Sequence, residues 1–306
     1  MAKKILITGS NGLLGQKIIE QLIDQEEFSW IATSNGKNRM SQIPEGKYQS
    51  LDITNEGQIK RVFELFEPNV VINTAAMTNV DLCESEKEQC WNLNVKSVEM
   101  LINACNQVDA HFIHLSTDFV FDGANGPYEE NDTPNPISFY GESKYEAEKL
   151  IQSSNLKKWS IVRTIILYGI AEEMSRSNVV LWAKEALEKG MPINVVDDQF
   201  RAPTLAEDLA SGCISAAEKG ATGIFHISGK ETMSILELVH QVGDFFNLDT
   251  SIVQPIKSNL LNQAAKRPPR TGFVIDKAIN ELGYKPKSFK EGLEILSQQL
   301  TDKAQI

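Results

Sequence analysis

Residues 4–15 read Lys-Ile-Leu-Ile-Thr-Gly-Ser-Asn-Gly-Leu-Leu-Gly, an apolar run followed by regularly spaced glycines. The first five residues have the β-favouring, apolar character of a buried strand, and apolar residues recur at helical spacing after the last glycine. The segment therefore predicts a strand, a glycine turn and a helix. In that context Gly9, Gly12 and Gly15 allow a tight turn, close approach of a pyrophosphate to the backbone, and close packing of helix on strand.

A dinucleotide-binding site is the function that this segment predicts, and a plain turn is the alternative. The amino end of the following helix would receive the phosphate charge. The residues predicted here to bind the cofactor are Gly9, Asn11, Gly12, Leu13, Leu14 and Gly15.

The end of the next predicted strand, residues 28–33, indicates which cofactor is bound. NAD sites usually place an acidic residue there for the ribose 2′-hydroxyl, whereas NADP sites offer cations. Here Ser34, Lys37 and Arg39 follow the strand, and no carboxylate stands among residues 34–39. We therefore predict NADPH, with NADH as the alternative.

A further buried strand is predicted over residues 69–73. The side chains that follow it include Ala75, Ala76 and Thr78, and small side chains permit a cofactor to lie close against the backbone. We predict that all three contact the cofactor.

The segment from Ser116 to Lys144 carries the predicted chemistry. Residues 112–115 form a short apolar strand pattern, so Ser116 and Thr117 would lie at its carboxyl end, where open α/β sheets bind ligands. Tyr140 and Lys144 are four residues apart and would share one helix face. A phenol, whose pKa is ordinarily about 10, exchanges protons at neutral pH if a nearby ammonium stabilises its anion. A solvated helix face is the alternative.

The repeated strand–helix pattern predicts an α/β fold, a Rossmann-type doubly wound parallel sheet with a smaller mixed α/β carboxyl-terminal substrate lobe. We assign residues 1–168 to the dinucleotide-binding domain and residues 169–306 mainly to the substrate lobe. Residues of about 196–222 are expected to return to the first domain.

The composition excludes several classes of function. The chain of 306 residues has a net charge of -11, which argues against nucleic acid or an anionic membrane as a partner. No apolar run has the length of a membrane span or a signal peptide, so we expect a cytoplasmic protein. The cysteines and histidines show no paired metal spacing, so we predict no metal site. They are Cys83, Cys90, Cys105, Cys213, His111, His114, His226 and His240.

The glycine spacing and the Tyr140–Lys144 pair resemble the extended short-chain dehydrogenase/reductase superfamily. Further segments, spread over nearly the whole chain, are similar to the dTDP-4-dehydrorhamnose reductase family. These segments are residues 73–84, 116–123, 128–134, 140–148, 198–209, 223–229 and 267–268.

The resemblance implies NADPH-dependent reduction of the 4-keto group of a nucleotide-linked deoxysugar, from dTDP-4-dehydrorhamnose to dTDP-L-rhamnose. Tyr140 would donate the proton, Lys144 would stabilise its anion and hold the nicotinamide ribose, and Thr117 would hydrogen-bond the substrate oxygen. It also implies that Asp52 and Ile53 flank the adenine ring.

A nucleotide-sugar carries a diphosphate, which requires donors or cations. The carboxyl half offers Arg201 and a cluster near a proline pair that includes Arg267. The residues predicted to bind the substrate are Thr78, Thr117, Asp118, Gln199, Arg201 and Arg267.

Three positions depart from the family pattern: Met77, Phe119 and Ile166 stand where the reductases commonly carry aromatic or related side chains. These departures bear on the identity of the sugar. Two alternative functions stay open. One is a nucleotide-sugar epimerase or dehydratase with tightly held NAD, and the other is a non-catalytic regulatory subunit resembling that of methionine adenosyltransferase.

The family resemblance also generates a prediction about assembly. Some reductases of the family pair through a metal held by acidic side chains, one of them just after the third glycine, where this chain has Gln16 and Lys17. We expect that a homodimer, if one forms, is not bridged by magnesium. Light scattering with and without a chelator tests this, and a mass that halves on chelation would contradict it.

Overall fold

The computed structural model describes residues 2–174 and 176–304. In this part of the chain the strands are β1 (Lys3–Thr8), β2 (Phe28–Ser34), β3 (Tyr48–Ser50), β4 (Val70–Asn73), β5 (His111–Thr117), β6 (Trp159–Thr164), β7 (Leu167–Tyr168), β8 (Ile193–Val196), β9 (Phe200–Arg201), β10 (Thr204–Leu205), β11 (Gly223–His226), β12 (Met233–Ser234) and β13 (Val253–Ile256).

The α-helices of the described residues are α1 (Leu13–Leu22), α2 (Glu56–Phe66), α3 (Val80–Ser85), α4 (Lys87–Trp91), α5 (Ser97–Val108), α6 (Phe139–Gln152), α7 (Val179–Glu188), α8 (Ala206–Lys219), α9 (Ile235–Phe246) and α10 (Phe289–Ala304). A π-helical turn, Asn92–Lys96, joins α4 to α5.

One parallel sheet organises the amino-terminal half. Its strand order is β11-β6-β5-β4-β1-β2-β3, and every neighbouring pair is parallel. The chain moves outward in one direction from β1 to β3 and then restarts on the other side of β1 at β4. This reversal opens a crevice at the carboxyl ends of β1 and β4, where α/β sheets bind ligands. The predicted doubly wound Rossmann-type sheet is confirmed.

Both faces of this sheet are covered, because successive side chains of a strand point to opposite sides. In β1, Ile5 and Ile7 join a core that includes side chains of α1 and α8. Leu6 joins a second core with α2, α5 and α6. The continuous apolar run read in residues 4–8 thus reflects a strand buried on both faces.

The carboxyl-terminal residues form a smaller mixed lobe. Here α7, α9 and α10 pack with β8 and β13 around a third core. The chain also returns to the large sheet, because α8 packs against α1 and β11 pairs with β6. β11 begins at Gly223, just beyond the segment expected to return, and the division at residues 168 and 169 remains a prediction.

The apolar sequence of residues 159–169 predicts one continuous strand, and this prediction is wrong. The chain forms β6 and then the short β7, which leaves the sheet and pairs with β10. Ile166 lies between them at a φ of +22°, in a region that a β-branched residue rarely adopts. This local turn diverts the chain from the nucleotide-binding half towards the carboxyl-terminal lobe.

A buried ion pair fixes α6 on the sheet. Glu148 of α6 accepts hydrogen bonds from Arg163 Nε at 2.9 Å and Arg163 Nη2 at 2.6 Å, and the two side chains are 0% and 1% exposed. Ser116 at the end of β5 donates to the same carboxylate at 2.5 Å. Because Glu148 lies one helical turn beyond Lys144, this pair sets the position of the helix that carries Tyr140 and Lys144.

We expect Glu148→Gln to destabilise the fold by about 3–5 kcal/mol, because it leaves the Arg163 guanidinium buried without a countercharge. Chemical denaturation measures this change. Lys157→Gln removes an exposed ion pair with Asp109 and serves as the control that should hardly alter stability. The double variant Glu148→Leu with Arg163→Met should recover much of the loss, since it removes both charges. A single variant as stable as the control would contradict the assigned role.

Candidate active site

The glycine turn after β1 has the geometry of a cradle for a phosphate group. Gly9 adopts a φ of +72°, and a Cβ there would lie 2.7 Å from the backbone nitrogen of Ala75. A Cβ on Gly15 would lie 2.5 Å from the Gly9 carbonyl oxygen. The helix α1 begins after Gly12 with no side chain capping it and no acid in its first turn. Its free amide groups suit an anion, so the turn fits a dinucleotide pyrophosphate.

Asn11 ties this turn to the loop that follows β2. Its Nδ2 donates to the Lys37 carbonyl at 2.8 Å, and its Oδ1 accepts from the Arg39 backbone amide at 3.0 Å. These contacts hold the backbone of Lys37 and Arg39, the two predicted cations, beside the glycine turn. No carboxylate stands between the end of β2 and Arg39 in the sequence. Ser34 closes β2, and its carbonyl accepts from the Tyr48 hydroxyl at 3.1 Å. A loop that carries two cations is the kind of site that a phosphorylated ribose requires.

The predicted adenine contacts divide between a cavity and the core. Asp52 lines a cavity of about 700 Å³ together with Asn35. The carboxylate of Asp52 also accepts from the Thr54 amide at 2.9 Å, which starts the turn into α2. Ile53 is 5% exposed and packs within the core under α2 and α5.

A larger cavity, of about 750 Å³, opens at the carboxyl edge of the sheet between the glycine turn and the carboxyl-terminal lobe. Its volume is in the range that holds a small organic ligand. The predicted catalytic residues Thr117, Tyr140 and Lys144 all line it. Ser138 caps α6 by accepting from the Gly141 amide, so the helix begins directly before Tyr140. The structure thus brings the strand end and the helix face together, as predicted.

The predicted site residues that line this larger cavity are Asn11, Gly12, Leu13, Leu14, Ala76, Thr78, Thr117, Asp118, Tyr140, Lys144, Gln199, Arg201 and Arg267. The predicted residues outside its lining are Gly9, Gly15, Ser34, Lys37, Arg39, Asp52, Ile53 and Ala75.

Burial shifts the pKa values of Tyr140 and Lys144 in directions that suit proton donation by the phenol. Desolvation raises the pKa of Tyr140, although a hydrogen bond with Thr117 opposes the change, so the phenol is protonated at neutral pH. Desolvation lowers the pKa of Lys144 to about 8, against the opposing charges of Glu148 and Cys90. Lys144 therefore exchanges its proton close to neutral pH.

Sequence reasoning missed the partner of Lys144. The Nζ atom lies 3.0 Å from Nε2 of His114, a residue to which the sequence analysis assigned no role. His114 and Ser116 occupy alternate positions of β5 and face α6, and they contact Lys144 and Glu148 respectively. The signal was present as two polar residues on one face of an apolar strand.

The π-helical turn holds the loop after β4. Asn94 accepts from the Met77 backbone amide at 2.8 Å and donates to the Met77 carbonyl at 3.0 Å. It also donates to Ser143 of α6 at 3.1 Å. One asparagine thereby links the loop after β4 to α6, and π-helical turns of this kind are frequent at functional sites.

Asp118 and Arg201 are buried at the floor of the cavity and are used structurally. Arg201 donates to the carbonyls of Phe200 and Pro268 at 2.7 and 2.6 Å, and its Nε lies 3.6 Å from Asp118. Asp118 also accepts from Thr271 at 2.5 Å. Burial raises the pKa of Asp118, while the charge of Arg201 opposes that shift. Both residues therefore join the end of β5 to the proline turn of the lobe.

Arg267 lines the cavity, but its charge is already balanced. It binds Asp81 of α3 through two hydrogen bonds of 3.1 and 2.6 Å, and these hydrogen bonds lower the pKa of the Asp81 carboxyl. Its neighbour Lys266 is exposed and lies outside the cavity lining. The predicted diphosphate cation is thus half of an ion pair that bridges the two halves of the chain.

Arg176 is a cation that sequence reasoning missed. It lies between β7 and α7, lines the cavity, and donates to the Thr78 hydroxyl at 3.0 Å across the opening. Among the arginines that line the cavity in residues 2–174 and 176–304, it alone has no carboxylate within ion-pair distance. Nothing in the sequence distinguishes it from a solvated loop arginine.

Two searches of the structure bear on other classes of site. Within the described residues, no group of three or more histidine, cysteine or acidic side chains is arranged to hold a metal ion. Over the same residues, every helix is too short or too polar to cross a membrane.

Comparison with known proteins agrees with this geometry. The chain is 31% identical over 271 residues to the bovine methionine adenosyltransferase 2 subunit beta, covering 87% of this chain and 78% of the relative. It is 30% identical over 308 residues to dTDP-4-dehydrorhamnose reductase of Aggregatibacter actinomycetemcomitans, covering 95% and 97%.

Among solved structures, the dTDP-4-dehydrorhamnose reductase of Bacillus anthracis in complex with NADP superposes with a TM-score of 0.85. The two sequences are 28% identical, and the match covers 98% of this chain and 100% of that one. The model of the RmlD substrate binding domain matches residues 3–301. With its parallel sheet, glycine turn and Tyr140–Lys144 pair, the chain belongs to the RmlD substrate-binding domain family.

Proposed function

We propose that this protein reduces the keto group of a nucleotide-linked sugar with NADPH, and that its reaction is the conversion of dTDP-4-dehydrorhamnose to dTDP-L-rhamnose. The observation that carries the proposal is the convergence of Thr117, Tyr140 and Lys144 on one cavity beside the glycine turn. The similarity to dTDP-4-dehydrorhamnose reductases supports the same reaction.

The chemistry follows from the protonation states of the pair. Bound NADPH would supply the hydride that adds to the carbonyl carbon. The phenol of Tyr140 would transfer its proton to the carbonyl oxygen as that oxygen gains charge, and the hydroxyl of Thr117 would donate a hydrogen bond to it. The ammonium of Lys144 would stabilise the phenolate that Tyr140 becomes.

NADPH is the cofactor that the loop after β2 favours. The ribose 2′-phosphate needs cations, and the Lys37–Arg39 loop is held beside the glycine turn by Asn11. The related Bacillus anthracis reductase was solved in complex with NADP, which supports this choice. NADH remains the alternative cofactor, and the proposed reduction would be the same with it.

Arg176 is the arginine that we propose for the substrate diphosphate. Arg201 and Arg267 are already engaged with Asp118 and Asp81, so a further dianion gains less from them. The guanidinium of Arg176 can donate two parallel hydrogen bonds to the oxygens of a phosphate once it leaves Thr78. This adds a residue to the predicted substrate set without removing Thr78, Gln199 or Arg267 from the cavity.

A regulatory subunit is the second candidate function. The observation that favours it is the similarity to the methionine adenosyltransferase 2 subunit beta. Intact Tyr140 and Lys144 do not exclude it, because a site can outlive its activity. Dinucleotide binding without turnover of any keto-sugar, together with co-purification of a methionine adenosyltransferase, would favour this function over the reductase. An epimerase or dehydratase would instead show turnover with retained cofactor and no net NADPH consumption.

We expect Tyr140→Phe to lower kcat on the order of 10²–10⁴-fold, because it removes the proton donor and keeps the aromatic ring. NADPH oxidation with dTDP-4-dehydrorhamnose and a panel of related keto-sugars measures the change. Cofactor binding, followed by fluorescence, should be preserved and serves as the control. The proposal would be overturned if, for every keto-sugar in the panel, the wild-type protein oxidised NADPH no faster than Tyr140→Phe.

We expect Arg176→Gln to raise the Michaelis constant for the nucleotide-sugar about tenfold and to leave kcat nearly unchanged, because a diphosphate is bound alike in the ground and transition states. Steady-state kinetics with each substrate varied in turn measures this. The Michaelis constant for NADPH should stay constant. Lys266→Gln, which removes an exposed cation outside the cavity, is the matched control and should change neither constant. If both variants behave alike, Arg176 does not bind the diphosphate.

A further inference from the structure

A buried row of hydrogen-bonded side chains connects the glycine turn to Lys144. The Thr8 hydroxyl at the end of β1 donates to Asn73 Oδ1 at 2.5 Å, and Asn73 Nδ2 lies 3.1 Å from His114 Nδ1. The other ring nitrogen of His114, Nε2, lies 3.0 Å from Lys144 Nζ. All four side chains are at most 2% exposed. The row crosses the sheet at the point where the strand order reverses.

We propose that His114 is a positioning residue of the active site, whose imidazole holds the amine of Lys144 at the cavity that Tyr140 also lines and couples the charge of that amine to the tautomer of the ring. The inference rests on the proposed catalytic role of the pair. It goes beyond that role because it makes the charge of Lys144 depend on His114 of β5. Through His114, that charge also depends on Asn73 of β4 and Thr8 of β1.

The proton arrangement along the row has two satisfied forms. With Asn73 Nδ2 directed at the ring, Nδ1 accepts, so the ring proton is on Nε2 and is donated to an uncharged Lys144 amine. If the amide turns over, its Oδ1 accepts from a protonated Nδ1, and the Lys144 ammonium donates to Nε2. The hydroxyl of Thr8 can donate or accept, so it serves both forms. The charge of Lys144 is thereby coupled to the tautomer of His114.

The imidazole stays neutral in both forms. Burial lowers the pKa of His114 well below its ordinary value, and the neighbouring charge of Lys144 acts in the same direction. A neutral ring keeps one nitrogen free to accept from an ammonium, whereas a charged ring would repel it.

The end of the row at Thr8 lies in the protein interior. Thr8 is fully buried, and within residues 2–174 and 176–304 the hydrogen bonds of its hydroxyl end at Asn73. The contacts of Lys144 with this row therefore support positioning of its amine.

Other ionisable groups surround the pair and must be kept constant in a test. Glu148 on α6 and Cys90 on α4 act on Lys144, both raising its pKa. Asp118 after β5, Cys83 on α3 and Arg176 after β7 act on Tyr140. None of these residues is replaced in the His114 variants described next.

The test compares two replacements that divide the functions of the ring. His114→Gln keeps an acceptor near the position of Nε2, facing Lys144, and His114→Asn keeps only the polar atoms near Nδ1, facing Asn73. The ammonium form of Lys144 loses its acceptor in the asparagine variant. We therefore expect the alkaline limb of kcat to move down by about one pH unit in His114→Asn, with a loss of about fivefold in kcat at pH 8. His114→Gln should retain most of the activity and the wild-type limb.

Thermal unfolding of both variants provides the folding control. Equal losses of activity in the two variants, without a shift of the pH profile, would mean that His114 has a merely structural role and would overturn the proposal.

A second measurement does not need turnover. In ¹⁵N NMR of histidine-labelled protein, we expect the His114 ring to change tautomer near pH 8 and to stay neutral from pH 5 to 9, and we expect the change to disappear in Lys144→Met. A ring that instead protonates near an ordinary pKa of about 6.5 would overturn the proposal. If no keto-sugar is turned over but the tautomer change is present, the proposed reaction is wrong and the coupling of His114 to Lys144 stands.

Discussion

The ion pair between Glu148 and Arg163 is the constraint on which the site depends. A carboxylate and a guanidinium at 0% and 1% exposure hold α6, which carries Tyr140 and Lys144, against the sheet. Desolvation offsets much of the attraction within such a pair, so the pair adds little net stability over an apolar contact, although removal of one partner alone is costly. Because Tyr140, Lys144 and Glu148 follow each other at one-turn intervals, fixing the last of them sets where the first two point. The chemistry of the site is thus placed by a contact that takes no part in it.

The two halves of the chain are joined by the same kind of interaction. Asp118 and Asp81 belong to the amino-terminal half, and they bind Thr271 and Arg267 of the carboxyl-terminal half. These contacts position the walls of the cavity. Because of these contacts, Arg201 and Arg267 are already paired with carboxylates in the fold. This pairing is the reason for proposing the loop residue Arg176 as the one that binds a further anion.

Local sequence patterns predicted the elements and the ends of strands well. The glycine turn, the strand before Ser116 and the helix with Tyr140 and Lys144 each depend on residues within a few positions of one another, and the structure forms all of them. The turn at Ile166 was not predicted, because its backbone conformation opposes the preference of an isoleucine.

Pairings between distant segments were also beyond the sequence. Asp81 and Arg267 are separated by 186 residues, and nothing in either segment indicates the other. The link from His114 to Lys144 is similar, since a buried histidine in an apolar strand is more often a core residue. Such contacts decide the charge balance of a site. The residue types at the site could therefore be predicted from the sequence, but whether each charged side chain is already paired could not.

The surplus of negative charge has a kinetic consequence at the cavity. With a net charge of -11, the surface repels an approaching phosphate-bearing ligand over distances of about 8–10 Å, the screening length near physiological ionic strength. The guanidinium of Arg176 lines the cavity and acts on such a ligand mainly at short range. Added salt would weaken the long-range repulsion more than the short contact, so the encounter of anionic ligands with this protein would become faster as the solution becomes more concentrated in ions.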